Sequence, residues 1–197
     1  MTANHTPGKS SFQTEGFGSG ALWLDLANSD LRDGFGNATD LLDDPAWMCS
    51  FLAYWNFRMQ MKKAVPVAQL RRLRSLLRGL IEKSGGAAEL HGADVAELNT
   101  WLKVAVFPQL VKDQNGFTLR LRATQFGWPA ILGAIAESFA RTLLEGQARR
   151  LKLCANEDCR WVFIDRTKGN IRRWCNDATC GNRDRVRRSR AAQKRKK

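Results

Sequence analysis

The sequence predicts a mainly α protein. A multi-helix N-terminal domain with one β-hairpin precedes a small module organised by four cysteines, read as a capped hairpin plus a C-terminal helix. Three observations predict it. Apolar residues recur at helical spacing in three long stretches between Pro45 and Leu144. Four of the five cysteines stand as matched pairs, Cys154-x4-Cys159 and Cys175-x4-Cys180, with fifteen residues between the pairs. The positive charge sits with those pairs: Arg149 to Lys197 holds 17 Lys+Arg against 5 Asp+Glu, whereas residues 1–148 hold 15 against 14.

The elements follow in chain order. Met1 to Gly20 is rich in Ser, Thr and Gly and has no apolar core, so it reads as a loose tail (1–16) and not as a secretory signal. Gly20 to Asn28 is short and apolar, and either a strand or a helical turn fits. Gly34, Gly36 and Asn37 then read as loop. Asp44-Pro45 has the form of an N-cap followed by proline at the first helical position. Trp47, Phe51, Tyr54, Trp55 and Met59 share one face, predicting a helix to about Met61, with Cys49 as a buried small residue.

Val67, Leu70, Leu73, Leu77, Leu80 and Ile81 form the clearest helical stripe, which ends near Ser84-Gly85-Gly86. Arg71, Arg72, Arg74 and Arg78 turn away from it, as a solvated face in preference to a second DNA-facing stripe. Asp94-x-x-Glu97 resembles a capping box ahead of a short helix through Trp101 and Leu102. Phe107 to Val111 and Phe117 to Leu121 flank Asp113-Gln-Asn-Gly116 and predict a β-hairpin. Trp128-Pro129 opens a last helix whose buried stripe is Ile131, Leu132, Ile135, Phe139, Leu143 and Leu144. Periodicity stops at Gly146 to Arg150, which divides a helical domain (17–148) from a cysteine module (149–190) and a basic tail (191–197).

A module this short and this rich in Arg and Lys cannot build a core of its own and needs a staple. Nothing in the sequence approaches the roughly eighteen uninterrupted apolar residues of a membrane span. The chain is therefore expected to stay in a reducing compartment, where paired cysteines bind metal more often than they form disulfides. Two short knuckles of thiolates suit one tetrahedral zinc ion, with Cys154, Cys159, Cys175 and Cys180 as ligands. Four sulfur ligands leave no place for a catalytic water, so the zinc is read as structural. The expected form is a zinc-capped hairpin of Leu151 to Cys154 and Trp161 to Ile164, with Trp161, Phe163 and Trp174 packed beside the metal. Asp177 is then expected to cap a helix carrying Cys180 in its first turn.

A zinc tetrathiolate carries −2, which leaves the metallated module at about +10. Such a field favours a polyanionic partner. Arg166, Lys168, Arg172, Arg173, Asn182, Arg183, Arg185, Arg187 and Arg188 are the candidate nucleic-acid contacts. Arg183, Arg187, Arg190 and Lys194 fall on one helical face. A second reading stands beside this one for Arg172, Arg173 and Arg183: they offset the zinc-thiolate charge or pair with Asp165 and Asp184.

The residues Cys154-x-Asn-x-x-Cys-x-Trp-x-Phe-x-Asp165, Arg172-Arg-Trp-Cys175 and Cys180-Gly-Asn-Arg183 resemble the CGNR-type zinc finger. Leu24-Asp-Leu-Ala-Asn-Ser29 is similar, more loosely, to the opening of the ABATE domain that usually precedes it. This resemblance implies a bacterial DNA-binding transcription regulator, cytoplasmic and nucleoid-associated. Its partner would be duplex DNA, its cofactor one structural zinc, and its helical domain would sense a small-molecule effector or form a homodimer. An RNA- or ribosome-associated protein would use the same charge and metal. An enzyme in the first domain is the third class, and Asp25 and Asn28 could line a pocket there. The sequence carries no nucleophile–base pair, phosphate loop or HExxH-like helix to support it.

Overall fold

The computed structural model describes residues 19–57, 64–84, 90–103, 106–114, 116–123 and 127–194. The tail 1–16, Met59, the Gly85-Gly86 stop, Asn115 and the last three basic residues lie outside them.

A short, largely apolar segment opens the core. Helix α1 (Leu22–Ala27) has every residue buried. Trp23 meets Phe139 edge-on at 5.1 Å, and its indole N–H donates to Thr142 Oγ1 at 2.9 Å. Burying a tryptophan's area demands a partner for that N–H, and Thr142 supplies it.

Two three-residue strands follow, β1 (Asp30–Arg32) and β2 (Ala38–Asp40), paired antiparallel with Leu31 opposite Thr39. This hairpin stands where only a loop was expected. Its strands carry no alternating apolar pattern, and the polar turn at 33–37 makes it. The Asp33 carboxylate accepts from Phe35 N at 2.6 Å, and from Asn37 N and Nδ2 at 3.2 and 2.6 Å. Those bonds, the Asn37 side chain's first, hold the Asp33 carboxyl below the usual carboxylate range.

Helix α2 (Pro45–Tyr54) starts as expected, with Asp44 Oδ1 accepting from Ala46 N at 2.8 Å and proline at its first position. It ends earlier than Met61, because Trp55 closes the last turn and Asn56 takes φ 57°. Trp47, Met48, Phe51 and Leu52 are its buried face, while Tyr54 and Cys49 are exposed, contrary to expectation. Helix α3 (Val67–Ser84) buries Leu70, Leu73, Leu77, Leu80 and Ile81. Its arginines are not simply solvated. Arg71 and Arg74 clasp Asp40 at 2.9 and 2.7 Å, and Arg78 donates to Ala27 O and Arg160 O.

In α4 (Gly92–Trp101) Asp94 sits at the third helical position, not at the cap. It accepts from His91 N and from Lys83 Nζ, leaving Glu97 outside the capping arrangement. Strands β3 (Val106–Asp113) and β4 (Gly116–Ala123) form the expected hairpin, with Leu110 opposite Leu119 and Asp113 opposite Gly116.

Helix α5 (Trp128–Thr142) buries Ile131, Leu132, Ile135 and Phe139. A wide π-type turn over Leu143–Gln147 then rotates the stripe, so Leu144 is exposed. Gly146 at φ 71° breaks the turn, and a 3-10 turn (Ala148–Arg150) leads straight into β5 (Leu151–Leu153). Strand β5 pairs antiparallel with β6 (Val162–Ile164), and α6 (Asn182–Lys194) ends the described chain. Leu151 and Val162 are fully buried in the same hydrophobic cluster as α1, α3 and α5, so the core of the helical domain continues into the cysteine hairpin.

Candidate metal centre and basic surface

The first knuckle is shaped by one side chain. Asn156 Oδ1 accepts from Asp158 N and its carbonyl accepts from Cys159 N and Arg160 N, turning the chain back on itself. Cys154 N donates to Trp161 O at 2.8 Å, which closes the hairpin below the knuckle. The second knuckle is capped by Asn176, one residue before the expected Asp177. Its Oδ1 accepts from Ala178 N at 2.9 Å and Thr179 N at 3.3 Å. Asp177 instead pairs with Arg185. Gly181 fits closely here: a Cβ would fall 2.4 Å from Asp177 Oδ1, which would have to shift, and 3.3 Å from the Trp174 ring.

All four sulfurs lie within 4.8 Å of one another, with Cys159–Cys175 at 3.7 Å and Cys175–Cys180 at 3.8 Å. A tetrahedron of Zn–S bonds of ~2.3 Å has edges of about 3.8 Å. Disulfides would need about 2.05 Å. The donor set and its spacing therefore fit zinc. Without an ion, contact with Cys154 and burial push Cys159 and Cys175 up, while bonds from those two thiols push Cys154 down. Such a cluster does not accumulate thiolates without a cation to offset them. The quartet is one structural zinc site. Trp161 and Trp174 pack against it, as expected, whereas Phe163 is buried beneath Arg172 instead, and Asn156 Nδ2 lies 3.8 Å from Cys180 Sγ.

Asp165, with no exposed side-chain surface, organises the loop between the knuckles. Burial opposes its ionisation, but Lys152 Nζ at 2.8 Å, Thr167 N and Oγ1, and Arg172 N outweigh it and hold the carboxyl well below the usual range. Its charge partner is thus Lys152, not an arginine of the second knuckle.

The candidate contact residues separate into two groups. Arg172 lies over the Phe163 ring and donates to the carbonyls of Trp174 and Cys175, so it ties the second knuckle to the hairpin. Arg183 reaches across to the helical domain, donating to Asp33 O at 3.0 Å and lying 3.9 Å from the Phe35 ring centroid. Gly34 makes room for it, as its φ of +79° disfavours a side chain and a Cβ there would sit 2.0 Å from Arg183 Nη1. In contrast, Arg166, Lys168, Arg173, Asn182, Arg185, Arg187 and Arg188 are exposed. Arg173 covers Trp174, and Arg187 and Arg188 share Asp184. Arg190 and Lys194 are exposed further along α6.

Asp25 and Asn28 are both 1% exposed. Asp25 accepts from Ser19 N and Oγ and from Trp55 Nε1. Asn28 binds both backbone groups of Val162, its Nδ2 donating to the carbonyl at 3.0 Å and its Oδ1 accepting from the N–H at 2.8 Å. An amide is the side chain that can do both at once. Asn28 therefore docks the zinc hairpin onto α1. The sequence offered only an asparagine at a helix end, with nothing to mark a partner 134 residues away.

A helical domain whose core runs into a tetrathiolate finger with a basic helix defines a zinc-finger protein. A model described as "Putative stress-induced transcription regulator", the ABATE family, matches residues 20–146, and the CGNR zinc finger model matches residues 150–193. The chain belongs to the ABATE family and carries a CGNR zinc finger. Neither model describes an enzyme. No curated protein matches the chain. Among the described residues, no helix is long and apolar enough to cross a membrane.

Proposed function

We propose that this chain is a DNA-binding transcription regulator acting at the nucleoid in the bacterial cytoplasm. Its zinc module and α6 hold duplex DNA, and its helical domain conveys a signal, through a small effector or by pairing two copies. One observation carries the reading. Helix α6 is anchored at its N-terminus by the zinc knuckle, yet none of its thirteen residues is buried. With only Val186, Ala191 and Ala192 apolar among its residues, it lacks the broad apolar face that normally holds a helix in place. Arg185, Arg187, Arg188, Arg190 and Lys194 project from it, within a chain of net charge +13. A polyanion supplies the missing partner, with contacts mostly to phosphate.

The route from sensing to binding is short, because Arg183 at the start of α6 is clasped by the β1–β2 turn of the helical domain. The test is direct competition between duplex DNA and duplex RNA for the zinc-loaded full-length protein, followed by selection from random duplexes. Duplex DNA is expected to win, with log affinity falling against log salt by about 0.9 per phosphate neutralised. Preference for RNA would move the protein to the RNA- or ribosome-associated class. A flat salt response would remove the electrostatic basis of either.

A further inference from the structure

At the tip of the β1–β2 hairpin, Phe35 is 73% exposed. Its position is built, not incidental. The Asp33 carboxylate holds Phe35 N and both Asn37 donors, and Gly34 and Gly36 take φ +79° and +103° to make the turn. Below the ring lies the Arg183 guanidinium, 3.9 Å from its centroid. One ring face is thus supported by a cation and the other is turned to solvent.

Between this tip and α6 runs a groove of ≈ 660 Å³, with Phe35, Asn156, Asn182, Arg187, Arg190 and Lys194 among its lining residues. That volume falls within the range of small-ligand sites, enough for a nucleotide unit and not for a double helix. The groove is chemically graded. Near the tip are an aromatic face, the exposed Asn182 amide and the Asp158 carboxylate, which disfavours phosphate there. Toward the C-terminal end of α6 are Arg187, Arg190 and Lys194, spread over roughly 10 Å of helix. Asp184 is the second carboxylate of the groove, and it is occupied by Arg187 and Arg188. The Asp184 side chain is only 11% exposed while both arginines are exposed, so Arg188 can keep the carboxylate when Arg187 turns to a phosphate.

We propose that this groove receives one unstacked base of the bound nucleic acid, stacked on the open face of Phe35, with its phosphates along Arg187, Arg190 and Lys194. The inference rests on the nucleic-acid reading and deepens it: the binding surface includes a residue of the helical domain as well as the finger. Stacking on an aromatic face is tolerant of sequence and adds to affinity without neutralising phosphate. An unstacked base can come from a single strand or be extruded from a duplex.

The experiment uses zinc-loaded full-length protein with 2-aminopurine-labelled oligonucleotides, single-stranded in one arm and duplex in the other. Binding is expected to change the probe's fluorescence at one position, and the responding arm identifies the source of the base. Phe35→Ala is expected to weaken binding about 10-fold with the salt slope unchanged. Phe35→Trp should restore it, whereas Phe35→Leu, which keeps an apolar contact over Arg183 but offers no π face, should not. Arg190→Gln is expected to lower the salt slope by about 1. If Phe35→Ala binds like the wild type while Arg190→Gln lowers the slope, nucleic-acid binding stands and the base site is overturned. If the wild type binds neither oligonucleotide, both readings fail together.

Discussion

Asn28 and Asp40 show how single polar side chains tie distant segments of this chain together. Replacing Asn28 by Ala strands the N–H and carbonyl of Val162, both buried. The expected cost is about 3 kcal/mol, seen as a lower denaturation midpoint and faster amide exchange at Val162. Asn28→Asp keeps the acceptor but sets a buried carboxylate oxygen against the Val162 carbonyl, so at neutral pH at least the same cost is expected. Asp40 has a different role. The Arg74 side chain first, then Arg71 and Leu42 N, overcome burial to hold its carboxyl well below the usual range. With a folded-state pKa below the unfolded value of about 3.9, Asp40 contributes stability that is fully present above that value. The contribution disappears as pH falls below it. Asp40→Asn should therefore flatten the acid limb of the stability–pH curve. At neutral pH it should cost about 3 kcal/mol, because Arg74, only 11% exposed, loses its counter-ion. The helical spacing of α3 revealed which side was apolar. It could not reveal that Arg74 and Arg78, at the stripe's margin, meet Asp40, Ala27 O and Arg160 O, since those partners lie 34 to 82 residues away.

Local signals fixed some elements and left others unread. Helix α3, the Asp44-Pro45 start of α2, the β3–β4 hairpin and the four ligands were legible because each is written within a few residues. The β1–β2 hairpin was not, as Asp-Leu-Arg and Ala-Thr-Asp carry no strand pattern and the turn depends on one aspartate gripping three donors. Its importance appears only in the fold, where its tip clasps α6. That contact makes a prediction at this scale. Gly34→Ala strains a +79° φ and places a methyl on Arg183 Nη1, so the guanidinium must swing away. Arg183→Ala breaks the same clasp from the other side. Each is expected to raise amide exchange at residues 33–37 and at the start of α6 while leaving zinc content unchanged. Because both remove one interaction, the double variant should be no worse than either alone. Additive effects would mean that the two residues act separately.

For the molecule as a whole, the decisive question is whether the zinc finger is an appendage or part of the core. A 44-residue cationic segment with its own metal invites the first reading, and the sequence supports it by the abrupt change in composition at Arg149. The packing favours the second. Leu151 and Val162 have no exposed surface and belong to the cluster of Trp23, Leu77 and Phe139. Asn28, Arg78 and Arg183 add polar ties across the same boundary. Cys175→Ser in the full chain tests this. Loss of one ligand should release zinc and the folding free energy that depends on it, so residues 151–194 lose exchange protection and nucleic-acid binding is lost. Helices α1, α3 and α5 should remain helical, since most of their buried surface is mutual. They should nevertheless be less stable by about 4 kcal/mol, the contribution of two large aliphatic side chains withdrawn from the core, and their melting temperature should fall accordingly. An unchanged melting temperature would mean that the finger leans on the helical domain without supporting it. Undiminished binding by the zinc-free variant would mean that α6 acts as a basic tail, independent of the fold that presents it.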